Sequence, residues 1–244
     1  MIRTLFVFFV IVLLALPAAF VLIPFTLLSG NVGPLYATGN WIARAGLRAA
    51  GIRMCVEGRE KIPVGRACIF MANHVSNLDP PVLLSHLPGR TSIFLKRSLL
   101  KLPILGYAFR LAQFIPVDRG GDVKSARQAV AGAVHALASG LHITTFVEGQ
   151  RSRDGRLLAF KKGPFYLAND SGALCLPVSI HGTEKLLPRG SARIRPGQAH
   201  VVFHDPIDPA QYATRDELMQ AVRAAIAAGL PEWMRGADAA SGIS

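Results

Sequence analysis

Past about residue 52, apolar runs punctuated by turn residues divide the chain into short and long stretches. Ile52–Val56, Ala67–Ala72, Ser92–Leu95, Phe114–Val117, His142–Val147, Leu174–Ile180 and His200–Phe203 have the length and composition of strands. Helical periodicity fills several of the gaps. It is clearest over Asp122–Ser139, where Val123, Ala126, Val130, Val134 and Leu137 recur at three- and four-residue steps. Asp122 is placed to cap that helix and Gly140 to end it. Strands alternating with helices predict an α/β domain over 51–235 with a mostly parallel sheet flanked by helices. The Ala-rich tail 236–244 is expected to fray.

The N-terminal pattern is of another kind. No charged residue occurs from Thr4 to Leu28, and a helix of that length would reach about 37 Å, more than the roughly 30 Å of a bilayer core. Pro17 and Pro24 interrupt it, so a kinked span and a re-entrant pair of short helices fit as well as one rod. A signal peptide is the rival reading, but the apolar run continues well past Ala18 and Ala19. Arg44, Arg48 and Arg53 come after the run whereas only Arg3 precedes it, which puts the bulk of the chain on the cytoplasmic side of an inner membrane. Pro34–Ala50 reads as a second helix, either lying in the interface with Tyr36 and Trp41 at headgroup level or packed on the globular domain. Residues 1–50 are thus expected to anchor the chain.

Composition sharpens this picture. Hydrophobic residues make up 51% and charged residues 17% of 244, and the mean hydropathy is +0.35, which excludes a disordered chain. The formal net charge of +12 implies an anionic partner. With aromatics at 8% and no recognition module, a membrane phospholipid surface suits that charge better than nucleic acid. Cys55, Cys68 and Cys175 form no close pair, so neither a disulfide framework nor a thiolate metal site is expected. The histidines likewise lack ligand spacing, and no metal is predicted.

No nucleophile elbow, phosphate loop, dinucleotide fingerprint or zinc helix is found in the sequence. Directly after the apolar run Ile69–Ala72 stands Asn73-His74-Val75-Ser76-Asn77-Leu78-Asp79-Pro80, at a strand end, where open α/β sheets carry their reactive groups. Five residues on a continuous helix would separate His74 and Asp79 by about 140°, so they meet only across a turn, with Asp79 near the N-cap of a following helix. A carboxylate on one ring nitrogen of His74 would fix its tautomer, leaving the other to take a proton from a substrate hydroxyl. Taken alone, the pair reads more readily as a loop histidine beside a helix cap.

Four blocks in order change that balance: Asn73–Asp79; Lys96-Arg97-Ser98-Leu99 leading through Leu102-Pro103-Ile104-Leu105-Gly106 to Phe114–Arg119; Phe146-Val147-Glu148-Gly149-Gln150-Arg151-Ser152; and Leu176-Pro177-Val178. Over about residues 60–205 the chain resembles the 1-acylglycerol-3-phosphate O-acyltransferases, the lysophosphatidic-acid acyltransferase family. The resemblance implies that His74 deprotonates the glycerol hydroxyl, that Asp79 orients the imidazole, and that Arg119, Glu148, Gly149 and Arg151 serve the acyl acceptor, a structural pairing with an arginine being the other reading of Glu148. Arg119 and Arg151 would hold its phosphate. Arginine suits a phosphomonoester through its planar paired donors, and Lys161 extends the charge, as substrate contact or solvated face. Val147 and Gln150 depart from the usual Pro and Thr of the third block.

The expected reaction moves an acyl chain from acyl-CoA or acyl-acyl-carrier-protein to the 2-hydroxyl of lysophosphatidic acid, giving phosphatidic acid, with the thioester as co-substrate and no cofactor. Alternatives are a sister enzyme acylating another lysophospholipid or lyso-aminolipid, and a non-catalytic protein binding anionic lipid. Leu99–Leu111 is expected to be an ordinary buried helix rather than a lipid-dipping or channel-flanking one.

Overall fold

The computed structural model describes residues 1–117 and 123–236, with the side chains of 123–126 outside the description. The expected Asp122 cap, Arg119 and all but the first residue of the C-terminal tail lie outside the described residues.

Among the described residues seven strands form one sheet: β1 (Ile52–Glu57), β2 (Cys68–Ala72), β3 (Thr91–Lys96), β4 (Ile115–Val117), β5 (His142–Phe146), β6 (Leu174–His181) and β7 (Gly197–Phe203). Their spatial order is β1-β7-β6-β2-β5-β3-β4. Every neighbouring pair is parallel except β6 with β7. All seven apolar runs are therefore strands, shifted by at most a few residues at their ends.

Alternation along β2, the central strand, sorts the core. Phe70 and Ala72 point to one face with Val82, Leu83, Val178 and Ile180. Ile69 and Met71 point to the other with Ile143, Phe165, Leu218 and Val222. Each residue of β2 is fully buried, as expected of a parallel strand covered on both sides. Helices α5 (Val123–Ala138), α6 (Gly163–Ser171) and α8 (Arg215–Ala228) cover the second face; the single turn α7 (Thr183–Leu186) comes between α6 and α8 in the chain. Thr214 and Glu217 close a reciprocal capping box at the start of α8.

The first face is covered by α3 (Asp79–Leu84) and by α2 (Gly33–Ala49). Arg44 of α2 donates to the Ser85 carbonyl at 2.7 Å, and Leu47 is buried, so α2 is packed on the domain while Trp41 stays half exposed. α1 (Ile2–Ser29) is one continuous helix containing both Pro17 and Pro24. Gly30, at φ +69°, ends it, and α2 returns alongside. A Cβ on Gly46 would stand 3.1 Å from the Ile11 side chain, so glycine is what lets the two helices approach. The base of α1 is tied to the domain: Arg3 donates to the Ala50 carbonyl at 3.0 Å, and the Ile194 amide donates to Thr4 Oγ1 at 2.9 Å. Both ends of the hairpin thus meet the α/β domain on one side, while its outward side chains, among them Phe8, Phe9, Phe20 and Leu28, are exposed.

The stretch Leu99–Leu111 corrects an expectation. It consists of a 3-10 turn at Arg97–Lys101 and α4 (Leu105–Leu111), and Leu99, Leu102, Ile104, Leu105 and Tyr107 are exposed. Only Gly106 of α4 is buried, because β4 lies at the sheet edge and α1 covers α4 only in part.

Candidate active site

The parallel strands β2, β5 and β6 end together, and the loops leaving them converge on His74. Two residues past β2, the chain turns so that Asp79, the first residue of α3, comes back to the imidazole. Asp79 Oδ2 accepts from His74 Nδ1 at 2.7 Å and from the Val75 and Ser76 amides, each at 2.7 Å. Asp79 Oδ1 accepts from Thr183 Oγ1 at 2.6 Å. Leu78, not Asp79, occupies the N-cap position: the carboxylate caps the preceding turn rather than the helix. Asp79 and Thr183 are fully buried, and His74 is 6% exposed. With Nδ1 engaged, Nε2 is the ring nitrogen left for a substrate. The ring stacks on Phe146 at 4.1 Å between centroids, which fixes its plane.

The backbone of His74 is held as firmly as its ring. Its amide donates to Glu148 Oε1 at 2.8 Å, and its carbonyl accepts from the Ser152 amide at 2.8 Å. The second Glu148 oxygen accepts from the Leu158 amide at 3.0 Å. Asn73 brackets the Ile180 backbone, donating to its carbonyl at 2.8 Å and accepting from its amide at 2.7 Å. β2 and β6 are thereby locked in register beside the imidazole.

Glu148 consequently differs from the acceptor-contacting role first expected of it. It is 1% exposed and both oxygens are taken by backbone donors, so no face of the carboxylate is open to a ligand. Desolvation pushes its acid dissociation up to about 7, and the neighbouring Asp79 charge adds to the rise while the two amide donors oppose it. Gly149, at φ +70°, makes the turn after it, and a Cβ there would meet the Lys161 stem at 3.0 Å. Lys161 is therefore beside the turn, with an exposed head. Arg151 is half-buried; its carbonyl accepts from Arg189 at 2.6 Å, and its guanidinium has no polar partner among the described residues. The Ser152 amide bonds the His74 carbonyl and the Lys161 amide bonds the Val147 carbonyl, so Arg151 and Lys161 both lie on backbone anchored beside the strand ends at His74.

Thr183, Asn73, Phe146 and Ser152 complete the constellation and were not singled out by sequence. Asn73, Phe146 and Ser152 lie inside quoted blocks. Thr183 lies just past β6, and only the tertiary fold brings it to Asp79. Two clusters of the remaining histidines are engaged elsewhere: His204 bonds Ser179 at 2.7 Å, and His181 stacks on His200.

An open, mostly parallel α/β sheet with a buried His–Asp pair at a strand end, and with no serine, threonine or cysteine side chain bonded to the His74 ring among the described residues, is an arrangement suited to direct group transfer. Known proteins narrow the class. The family model described as Acyltransferase matches residues 53–181. The 1-acyl-sn-glycerol-3-phosphate acyltransferase of Limnanthes douglasii is 32% identical over 208 residues, covering 83% of this chain and 72% of that protein. The protein of that name from Chlamydomonas reinhardtii is 33% identical over 181 residues, 73% of this chain and 53% of that protein; the chain thus spans about half the length of the algal relative. The crystal structure of the 1-acyl-sn-glycerophosphate (LPA) acyltransferase PlsC from Thermotoga maritima superposes with a TM-score of 0.84 at 28% identity, covering 95% of both chains. The chain belongs to the acyltransferase family that includes the 1-acyl-sn-glycerol-3-phosphate acyltransferases.

Proposed function

We propose that this chain transfers a fatty acyl group from acyl-CoA or acyl-acyl-carrier-protein to the 2-hydroxyl of 1-acyl-sn-glycerol 3-phosphate, forming phosphatidic acid for phospholipid synthesis. The observation that carries the reading is the buried His74–Asp79 pair at 2.7 Å, with Nδ1 engaged and Nε2 left over. His74 Nε2 takes the hydroxyl proton as the glycerol oxygen attacks the thioester carbonyl. The tetrahedral intermediate collapses with cleavage of the C–S bond, and the imidazolium returns the proton to the leaving thiolate. Asp79 holds the ring in the required tautomer and stabilises the imidazolium. General-base help of this kind is worth about 10² to 10⁴ in rate, and positioning of the two lipid substrates supplies more.

Arg151 and Lys161, with Arg119 from outside the described residues, hold the acceptor phosphate in this reading. Glu148 and Gly149 shape the loop that presents them and fix the His74 backbone. α1 lies in the inner membrane; both hairpin ends meet the domain on one side, so the N-terminus and the catalytic domain share a side, and Arg44, Arg48 and Arg53 after the apolar run make it the cytoplasmic one. The test is acyl transfer by detergent-solubilised protein, wild type beside His74→Ala, with each thioester donor and a panel of lysolipids. Phosphatidic acid from the wild type alone supports the reading. A faster reaction with a lysolipid lacking the phosphomonoester moves the substrate assignment to another acceptor. No transfer with any pair leaves a lipid-binding role.

A further inference from the structure

Outside α1, five of the large apolar side chains that the described residues expose fall within nine positions: Leu99, Leu102, Ile104, Leu105 and Tyr107. The others are single residues elsewhere. Monomeric proteins rarely keep such a contiguous patch without a partner, and this one is built rather than frayed. Ile104, a β-branched residue, is held at φ +64°, a conformation such residues seldom adopt, with its side chain 48% exposed. Gly106 passes so close to Leu100 that a Cβ would stand 2.3 Å from its carbonyl oxygen, and Arg110 donates to the same oxygen at 3.1 Å.

Position and charge say what covers it. α4 packs against α1, and Tyr36 of the hairpin donates to the Ala112 carbonyl just beyond α4, so the patch continues the apolar outer face of α1. From Pro80 to Val117 there is no carboxylate, whereas Arg90, Lys96, Lys101 and Arg110 are cationic. The turn leaves β3 at the same sheet end as His74 leaves β2, and only β5 stands between those strands, a lateral offset of roughly 10 Å.

We propose that Leu99–Tyr107 is a second lipid-contacting element, which inserts Leu102, Ile104 and Leu105 into the leaflet that receives α1 and sets Lys101 among anionic headgroups. The assignment rests on the reading that α1 lies in the membrane. It brings the bilayer surface to the rim of the His74 site, so a lysolipid reaches the base while its acyl chain stays in the leaflet.

Spin labels on the full chain test this. Cys68 and Cys175 are fully buried and their thiols are pushed up to about 12 by desolvation, so Cys55→Ser leaves an unreactive background. Leu105→Cys, Phe20→Cys in α1 and Val64→Cys, at a position 99% exposed, are labelled and read in phosphatidylcholine vesicles with and without phosphatidylglycerol, by collision with oxygen and with a water-soluble nickel complex. The Leu105 label is expected to match the Phe20 label, favouring oxygen, and to sit deeper in the anionic vesicles; Lys101→Glu removes that added depth. A Leu105 label that reads like Val64 while Phe20 reads lipid overturns the proposal and leaves the membrane reading of α1 intact. Water at both overturns the α1 reading and the proposal with it. A Leu105 label shielded from both probes means protein covers the patch and also overturns it, and equal depth in the two vesicle types overturns the anionic-surface assignment.

Discussion

The strand end that carries His74 and the loop that carries Arg151 are neighbours held in opposite ways. Around His74, ring, amide and carbonyl each have a fixed partner, and Asp79 accepts four hydrogen bonds in a fully buried position. Around Arg151 and Lys161, the backbone is fixed while the charged groups reach outward. A base has to meet a small hydroxyl at one angle, and preorganisation serves it; a phosphate on a flexible lipid is met by long cationic side chains that adjust. The division predicts that damage at the strand end lowers turnover and damage in the loop weakens acceptor binding.

The largest effect is expected from His74→Ala, a loss of about 10² to 10⁴ in kcat with little change in the acceptor KM; a large KM change with retained turnover would move His74 out of the base role. Arg151→Ala should raise the KM for lysophosphatidic acid by about 10- to 100-fold, the worth of a charge-assisted contact, while sparing turnover on an uncharged monoacylglycerol. An equal loss on both acceptors would erase the contrast between the two regions. Thr183→Val leaves one Asp79 oxygen without a partner and should lower kcat by about fivefold, with Thr183→Ser restoring most of it. Unchanged kcat in Thr183→Val would show that the ring is oriented without this fourth donor.

The smallest effect concerns Glu148. In the unfolded chain its carboxyl titrates near 4.5 and in the fold near 7, so between those values the folded state binds more protons. Unfolding free energy therefore falls as pH rises through that window. Glu148→Gln should flatten this part of the Tm-against-pH curve, at the cost of leaving the His74 or the Leu158 amide short of an acceptor. A slope equal to that of the wild type would remove Glu148 as its source.

The fold was legible because its strands are short apolar runs bounded by turn residues, a signal that survives without knowledge of the partners. His74 and Asp79 were legible because four residues of turn chemistry separate them and three further blocks follow in order. Their supports were less so: Glu148 reaches the His74 amide and Thr183 reaches Asp79 across 74 and 104 residues, and spacing along a chain carries no trace of such contacts. Leu99–Tyr107 misled for another reason. Apolar composition reports exclusion from water, and a protein core and a lipid surface exclude water alike. The same ambiguity separates Cys68–Ala72, wholly buried, from α1, equally apolar and mostly exposed.

The pairing of β1 with β7 joins residues 52–57 to 197–202, and this sets an order of events during synthesis. At about 5 to 20 residues per second, β7 leaves the ribosome roughly 7 to 30 s after β1. The apolar first helix emerges before either, so the nascent chain meets the bilayer while its first strand still waits for the partner that closes the sheet.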